Sequence, residues 1–185
     1  RLLCWTLVPI LLFLAGCAQT IVPLRYQPLS LSTPACSNPI VIGEIRDQRP
    51  EPMQIGTTTD NTPFYAESMV DAWVRQALIS QLKAQRCRVI SVEEADGSGL
   101  AVRGEVTKAW LRQISRTEYA GQMRIALEIS HHRRTTHKES FKAEIKKRVV
   151  PKKTVLQSIM AELLQDLMSE IVPRIVENTV DQEPG

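Results

Sequence analysis

Cys17 is the residue whose surroundings indicate chemistry most directly. An apolar run, residues 7–14, leads into Leu-Ala-Gly immediately before this cysteine. Small residues at the end of a short apolar region are typical of a bacterial signal that is cleaved before a lipid-modified cysteine. A membrane-spanning anchor is the alternative, but it needs about 18 or more apolar residues, and Pro9 interrupts this run. We therefore predict removal of residues 1–16 and acylation of Cys17.

The destination of such a protein depends on the residue after the cysteine. An aspartate at that position is the usual signal for retention in the inner membrane, and Ala18 stands there instead. We expect the acyl chains to hold the protein in the outer membrane, at its periplasmic face.

Two further cysteines could form a disulfide. Cys4 leaves with the signal, so Cys36 and Cys87 remain as a pair in an oxidising compartment. Each precedes a predicted strand, and neighbouring parallel strands about 4.8 Å apart would suit a bond that joins Cα atoms roughly 4.4 to 6.8 Å apart. Two separately buried thiols are the alternative.

Asp47 and Arg49 follow the first predicted strand. A carboxylate and a guanidinium at this spacing can tie down the following loop, or can present a fork to a carboxylate or phosphate ligand. Loop anchoring is the default interpretation.

Basic residues concentrate in the middle of the chain. The net charge is only +3, but residues 100–153 contain 14 basic and 5 acidic residues. Strand alternation places five of them on one outward face, and two more at a hairpin tip. The five are Arg103, Arg124, Lys142, Lys146 and Arg148, and the two are Arg133 and Arg134. Such a face would attract lipid phosphates, acidic glycans or an acidic protein, or it would serve only solubility and edge protection. The membrane address argues against nucleic acid.

Catalytic patterns are missing from the sequence. It has no metalloprotease helix motif, phosphate-binding loop or dinucleotide fingerprint, and Ser98 between two glycines lies in a predicted turn. His131, His132 and His137 lie among cations that would oppose a metal ion. We expect no enzymatic activity, no metal and no cofactor.

Hydrophobic periodicity predicts the elements that position these residues. Strands are expected over 39–45, 88–92 and 100–114, and helices over 65–86 and 156–175, with Pro173 bending or ending the second. Strands over 123–130 and 141–149 would complete an antiparallel meander. A polar loop is expected over 51–62, and strand parity places Trp110 with the core residues.

These elements predict an α+β fold. It has a mixed sheet with an N-terminal β-α-β unit, a three-stranded antiparallel meander and a long C-terminal helix, with both helices on one face. We divide the chain into a signal (1–16), a lipidated tether (17–38), a single domain (39–178) and a tail (179–185).

The chain resembles the YajG-like family of bacterial lipoproteins. The resemblance lies in Leu-Ala-Gly-Cys17, residues 24–28, Asp-Gln-Arg at 47–49, Ile-Gly at 55–56 and the helix over 70–82. It implies the same address and fold, and the family has no established enzymatic activity.

Three functions remain open at this point. The first is a non-enzymatic outer-membrane lipoprotein that acts as an accessory or assembly factor for periplasmic protein partners. The second is an auxiliary lipoprotein of lipid or lipopolysaccharide transport that binds anionic groups through the basic face. An envelope hydrolase is the third, although no acid, base and nucleophile can be assembled from these residues.

Overall fold

An eight-stranded sheet covered by two helices makes up the fold, and the α+β prediction is confirmed. The computed structural model describes residues 19–32, 36–95, 99–131 and 134–180, without the side chains of 134–136 and 180. Cys17, His132 and Arg133 therefore lie outside the described residues. The strands are β1 (Thr20–Val22), β2 (Ile40–Asp47), β3 (Gln54–Thr57), β4 (Pro63–Ala66), β5 (Val89–Ile90), β6 (Leu100–Gln113), β7 (Glu118–His131) and β8 (Arg134–Arg148). The helices are α1 (Val70–Ala84) and α2 (Val155–Val180).

The N-terminal β-α-β unit forms as predicted. β2 and β5 are parallel neighbours, with Ile40 opposite Val89, and the connection between them contains α1, preceded by β3 and β4. Apolar residues recur along one side of α1, including Val74 and Leu78, and this side is buried against the sheet. The helix begins later than predicted because residues 63–66 form β4.

β6 is the central strand, and its two edges have different neighbours. One edge pairs with β7 along almost its whole length, and β7 pairs with β8, which gives the predicted meander. The other edge pairs first with β2, up to Val106, and then with β3, from Leu111 onward. The chain between β2 and β3 must therefore cover a gap along β6.

The expected polar loop over 51–62 is wrong in part, because β3 and β4 form an antiparallel hairpin within and just beyond it. Gly56 explains why the sequence of β3 did not indicate a strand. A Cβ at this position would lie 2.0 Å from the carbonyl oxygen of Leu111, and the φ angle is +155°. Close pairing with β6 thus requires glycine, a residue typical of turns.

A β-bulge in β6 makes the parity prediction for Trp110 wrong. The register with β7 shifts between Val106 and Lys108, so two successive residues, Thr107 and Lys108, are exposed. Beyond the bulge Ala109 and Leu111 face the core, and Trp110 lies half-buried on the opposite face.

Both helices cover the same face of the sheet. α1 contacts β2, β5 and β6, whereas α2 contacts β6, β7 and β8, and the two helices also contact each other. α2 continues through Pro173 to Val180, so Pro173 does not end it. Residues such as Leu163 and Met168 bury the apolar side of α2 completely.

The N-terminal segment packs against this core as well. β1 is parallel to β4 at one edge of the sheet, with Val22 opposite Ala66. Val22 and Leu24 are buried in the core cluster. Much of the segment expected to be a tether thus belongs structurally to the domain.

Candidate functional site

The face of the sheet opposite the helices, which we call the outer face, carries the predicted basic residues. All of those with described side chains are exposed there: Arg103, Arg124, Lys142, Lys146 and Arg148. The side chain of Arg134 is not described. The structure therefore brings five of the seven predicted cations onto one surface.

Strand register aligns three cations in a row across this face. Lys108 lies opposite Arg124, and Arg124 lies opposite Lys142 on the next strand. Directly opposed residues have Cβ atoms only about 5 Å apart, and like charges in such positions are destabilising. A negatively charged partner would relieve the repulsion among these three residues.

Part of the outer face neutralises itself. Lys138 pairs with Glu128 at 2.9 Å, and Arg46 pairs with Glu44 at 2.7 Å. The hydrogen bond from Arg46 also lowers the pKa of the exposed Glu44 carboxyl. These pairs line a depression of about 710 Å³ near the start of β6. Two of the cations that line this depression are thus already paired within the protein.

Charges are less well matched beyond the bulge. Lys142 lies 2.7 Å from Glu144, and this hydrogen bond lowers the pKa of the Glu144 carboxyl. In contrast, Lys108, Arg112 and Arg124 form no ion pair in the described part of the chain, although the charge of Arg124 also helps to lower the pKa of the Glu144 carboxyl. Apart from Arg103, the outer-face cations that form no ion pair among the described residues thus lie at this end of the sheet.

Aromatic and apolar side chains lie beside these cations. The Lys108 ammonium is 5.8 Å from the centre of the Trp110 ring, within range of a cation–π contact. Ile21 on β1 lies opposite Tyr65 on β4, and both project from the outer face. Ile21 is 59% exposed. Sequence reasoning missed Lys108, Trp110 and Arg112 as members of this surface because the bulge reverses their facing.

Asp47 and Arg49 form an internal anchor and not a ligand fork. Nε and Nη2 of Arg49 donate to the two Asp47 carboxylate oxygens, at 2.9 and 2.6 Å. Nη1 donates to the carbonyls of Gln54 and Ala109, and Nη2 also donates to the carbonyl of Pro52. All five guanidinium hydrogens are therefore used within the protein. Ala109 lies on β6 between the residues that pair with β2 and those that pair with β3. The guanidinium therefore takes the place of a neighbouring strand as hydrogen-bond donor to the Ala109 carbonyl.

Cys36 and Cys87 are joined in a disulfide, with Cα atoms 5.0 Å apart. Cys87 lies three residues beyond the end of α1, and its amide donates to the carbonyl of Leu82. The bond connects the N-terminal segment to the start of β5, close to the Ile40 amide, which donates to the Arg88 carbonyl.

Gln81 clamps the N-terminal segment onto α1. Its Oε1 accepts hydrogen bonds from the Tyr26 hydroxyl at 2.6 Å and the Leu29 amide at 2.7 Å, and its Nε2 donates to the Leu29 carbonyl at 2.7 Å. Gln81 is fully buried. A glutamine among Ala77, Leu78 and Leu82 on the apolar side of α1 was the signal that sequence analysis overlooked.

The histidines do not assemble a metal site in the described residues. His137 contacts Glu139 at 2.9 Å, and no group of three metal-ligating side chains occurs among the residues described. No helix in the described ranges combines the length and apolar character needed to cross a membrane.

Comparisons with known proteins show similarity in fold. No protein-family profile matches the chain, and no curated protein matches it significantly. A DUF330 protein from Xanthomonas campestris is similar with a TM-score of 0.66 and 12% identity, covering 85% of this chain and 95% of that one. A hypothetical protein from Chlamydia trachomatis has a TM-score of 0.52 and 10% identity, covering 78% and 99%. A minor lipoprotein from Acinetobacter baumannii has a TM-score of 0.47 and 16% identity, covering 76% and 94%. At such identities the likeness shows the fold alone.

Proposed function

We propose that this protein is a non-enzymatic lipoprotein of the bacterial outer membrane. Acyl chains on Cys17 hold it at the periplasmic face, where it acts as an accessory or assembly factor for protein partners. One observation carries the proposal: the first described strand begins at Thr20, three residues after the predicted lipid-modified cysteine.

Three residues span at most about 11 Å, because an extended chain advances no more than 3.6 Å per residue. The segment that follows is fixed as well, since β1 pairs with β4 and Gln81 holds Leu29. A lipid on Cys17 would thus keep the domain at the membrane surface and not on a long tether. A fixed position suits a factor that meets its partner at the same membrane.

The uses of the buried polar side chains support a non-enzymatic role. Arg49, Gln81 and Thr179 are buried polar or charged residues in the described part of the chain, and the Asp47 side chain is buried against Arg49. Arg49 and Gln81 hold backbone segments in place, and the Thr179 hydroxyl donates to the Val176 carbonyl within α2. Each therefore has a structural task.

Substitution of the lipid-modified residue tests the address. Cys17→Ser should give a protein that keeps its signal or is released in soluble form, because the acyl chains contribute about 0.8 kcal/mol per buried methylene. Ala18→Asp is the matched control, which should remain lipidated but move to the inner membrane. Membrane fractionation and intact mass measure both. Membrane-bound Cys17→Ser protein of normal size would contradict the proposal.

Crosslinking in intact cells tests the accessory role. Identification of the attached proteins should return the same envelope protein repeatedly, and the Cys17→Ser variant should lose it. Repeated failure to recover any partner, from crosslinked cells or from solubilised envelopes, would count against this role.

A further inference from the structure

We propose that the outer face lies against the anionic headgroups of the membrane that holds Cys17. The surface concerned, which we call the docking face, comprises Ile21, Tyr65, Trp110, Lys108, Arg112 and Arg124. This inference rests on the lipid anchor of the proposed function and adds which side of the domain meets the bilayer.

The position of β1 determines which part of the domain is near the anchor. β1 is the edge strand of the sheet, in the order β1-β4-β3-β6. Because Thr20 would lie within about 11 Å of the lipid-modified residue, this edge must approach the headgroups. Ile21 is the next residue, and its side chain projects from the outer face.

The docking face extends continuously from this edge to the bulge. Tyr65 lies opposite Ile21 on one side and opposite Gln54 on the other. Gln54, Lys108 and Trp110 line one shallow pocket of about 320 Å³. The anchored edge, the aromatic side chains and the cations thus belong to one surface.

The charges of the docking face fit phospholipid headgroups. Lys108, Arg112 and Arg124 form no ion pair among the described residues, whereas Lys138 and Arg46 do. The carboxylates nearest to them are Glu144, whose pKa Arg124 helps to lower, and Glu51, which lines the same pocket as Lys108. Each Lys or Arg held near an anionic bilayer surface strengthens binding to that surface by roughly fivefold. The cations of the docking face therefore lie where they can attract anionic headgroups.

The aromatic residues fit the same occupant. Trp and Tyr favour the headgroup level of a bilayer, where the ring is partly dehydrated and the N–H or O–H group stays hydrated. Trp110 and Tyr65 are half-buried on the outer face, and Ile21 is largely exposed. An apolar residue beside aromatic rings and unpaired cations is the composition of a membrane-contacting surface.

Tryptophan fluorescence provides a direct test. After signal removal the chain has two tryptophans, Trp73 in the core and Trp110 on the docking face. The lipidated protein would be placed in vesicles of brominated phosphatidylglycerol and phosphatidylcholine, or of phosphatidylcholine alone. Trp110 should be quenched strongly in the anionic vesicles, and Trp110→Phe should abolish this quenching while Trp73→Phe retains it.

Charge reversal tests whether the cations drive docking. Lys108→Glu combined with Arg124→Glu should remove most of the quenching, because the loss of two attractions of roughly fivefold each lowers the ratio of docked to undocked protein by at least about 25-fold. The control combines Lys83→Glu on the exposed side of α1 with Lys152→Glu before α2, which makes the same change in net charge. This control should keep the quenching of the unaltered protein.

Three results would overturn the docking face. In the first, Trp110 stays accessible to an aqueous quencher on anionic vesicles. In the second, the charge reversal on the docking face and the control charge reversal give equal quenching by the brominated lipid. The third is Trp110 that is accessible on vesicles but protected in native envelopes, which would assign the face to a protein partner. Flotation of the same vesicles measures the anchor separately. Anchored protein with accessible Trp110 refutes only the docking face, whereas unanchored protein refutes the proposed function.

Discussion

Arg49 and Asp47 form a buried, two-pronged ion pair whose side chains are only 6% and 4% exposed. The pair lies where β2 leaves the edge of β6 and before β3 takes its place. The guanidinium reaches the carbonyls of Pro52, Gln54 and Ala109, and so it joins the connecting loop to the central strand.

Arg49→Ala should destabilise the fold by about 3 to 5 kcal/mol, because it leaves the Asp47 carboxylate buried without its partner. Arg49→Lys should restore little of this, since an ammonium cannot match the five directed bonds of a guanidinium. Urea denaturation measures both. The control is Arg46→Ala on β2, whose exposed pair with Glu44 should contribute little to stability because solvent screens it. Similar losses for Arg46→Ala and Arg49→Ala would contradict the anchoring role.

Tyr26 should make stability depend on pH in the alkaline range. Burial raises the pKa of its phenol from 10.0 to about 12. The unfolded chain then loses this proton before the folded protein does, so stability is complete below pH 10 and falls as the pH rises toward 12. Denaturation at several alkaline pH values, compared with Tyr26→Phe, isolates this contribution. An unchanged pH profile in Tyr26→Phe would show that another group is responsible.

The disulfide should stabilise the domain by roughly 4 kcal/mol in the chain-entropy model, given a sequence separation of 51 residues. Replacing both Cys36 and Cys87 with Ala should lower the unfolding free energy by that order. Mass spectrometry of periplasmic protein taken under alkylating conditions checks the bond itself. Labelling of both thiols without prior reduction would show that the bond does not form in the cell.

Trp73→Ala should cost about 3 to 5 kcal/mol, because the ring is 7% exposed between α1 and the sheet. Trp73→Phe should cost much less, since the indole Nε1 has no hydrogen-bond partner among the described residues. Thermal unfolding of the two variants compares loss of volume with loss of the N–H group. A cost for Trp73→Ala of only about a tenth of the expected loss would indicate an exposed ring with an interface role.

The sequence predicted the elements with strong periodicity, namely both helices, β2 and the meander, because burial of one face imposes a repeat on the residues. The bulge in β6 could not be predicted in this way. Thr107 and Lys108 are both polar and exposed, and nothing in their types shows that the alternation reverses between them. The facing of Trp110 therefore followed from the register with β7 and not from parity.

The candidate site was predictable to a similar extent. Arg124, Lys142 and Lys146 follow regular alternation and were placed correctly on one surface. The contributions of Lys108 and Arg112 depend on the bulge, and that of Ile21 depends on pairing between β1 and the distant β4. Gln81 was missed because its hydrogen bonds reach a segment 52 residues away.

The hydrogen bonds of Gln81 and the disulfide would both resist a mechanical pull on the anchored N-terminus. A pull on a lipid at Cys17 would enter the domain through β1, which is held by its hydrogen bonds to β4 and by burial of Val22 in the core. The next resistance is the set of hydrogen bonds between Gln81 and the chain at Tyr26 and Leu29. Peeling would then stop at Cys36, where a covalent bond passes the force to Cys87. The sheet beyond that point is shielded from tension along the chain, so movement of the membrane could detach the first residues without unfolding the rest.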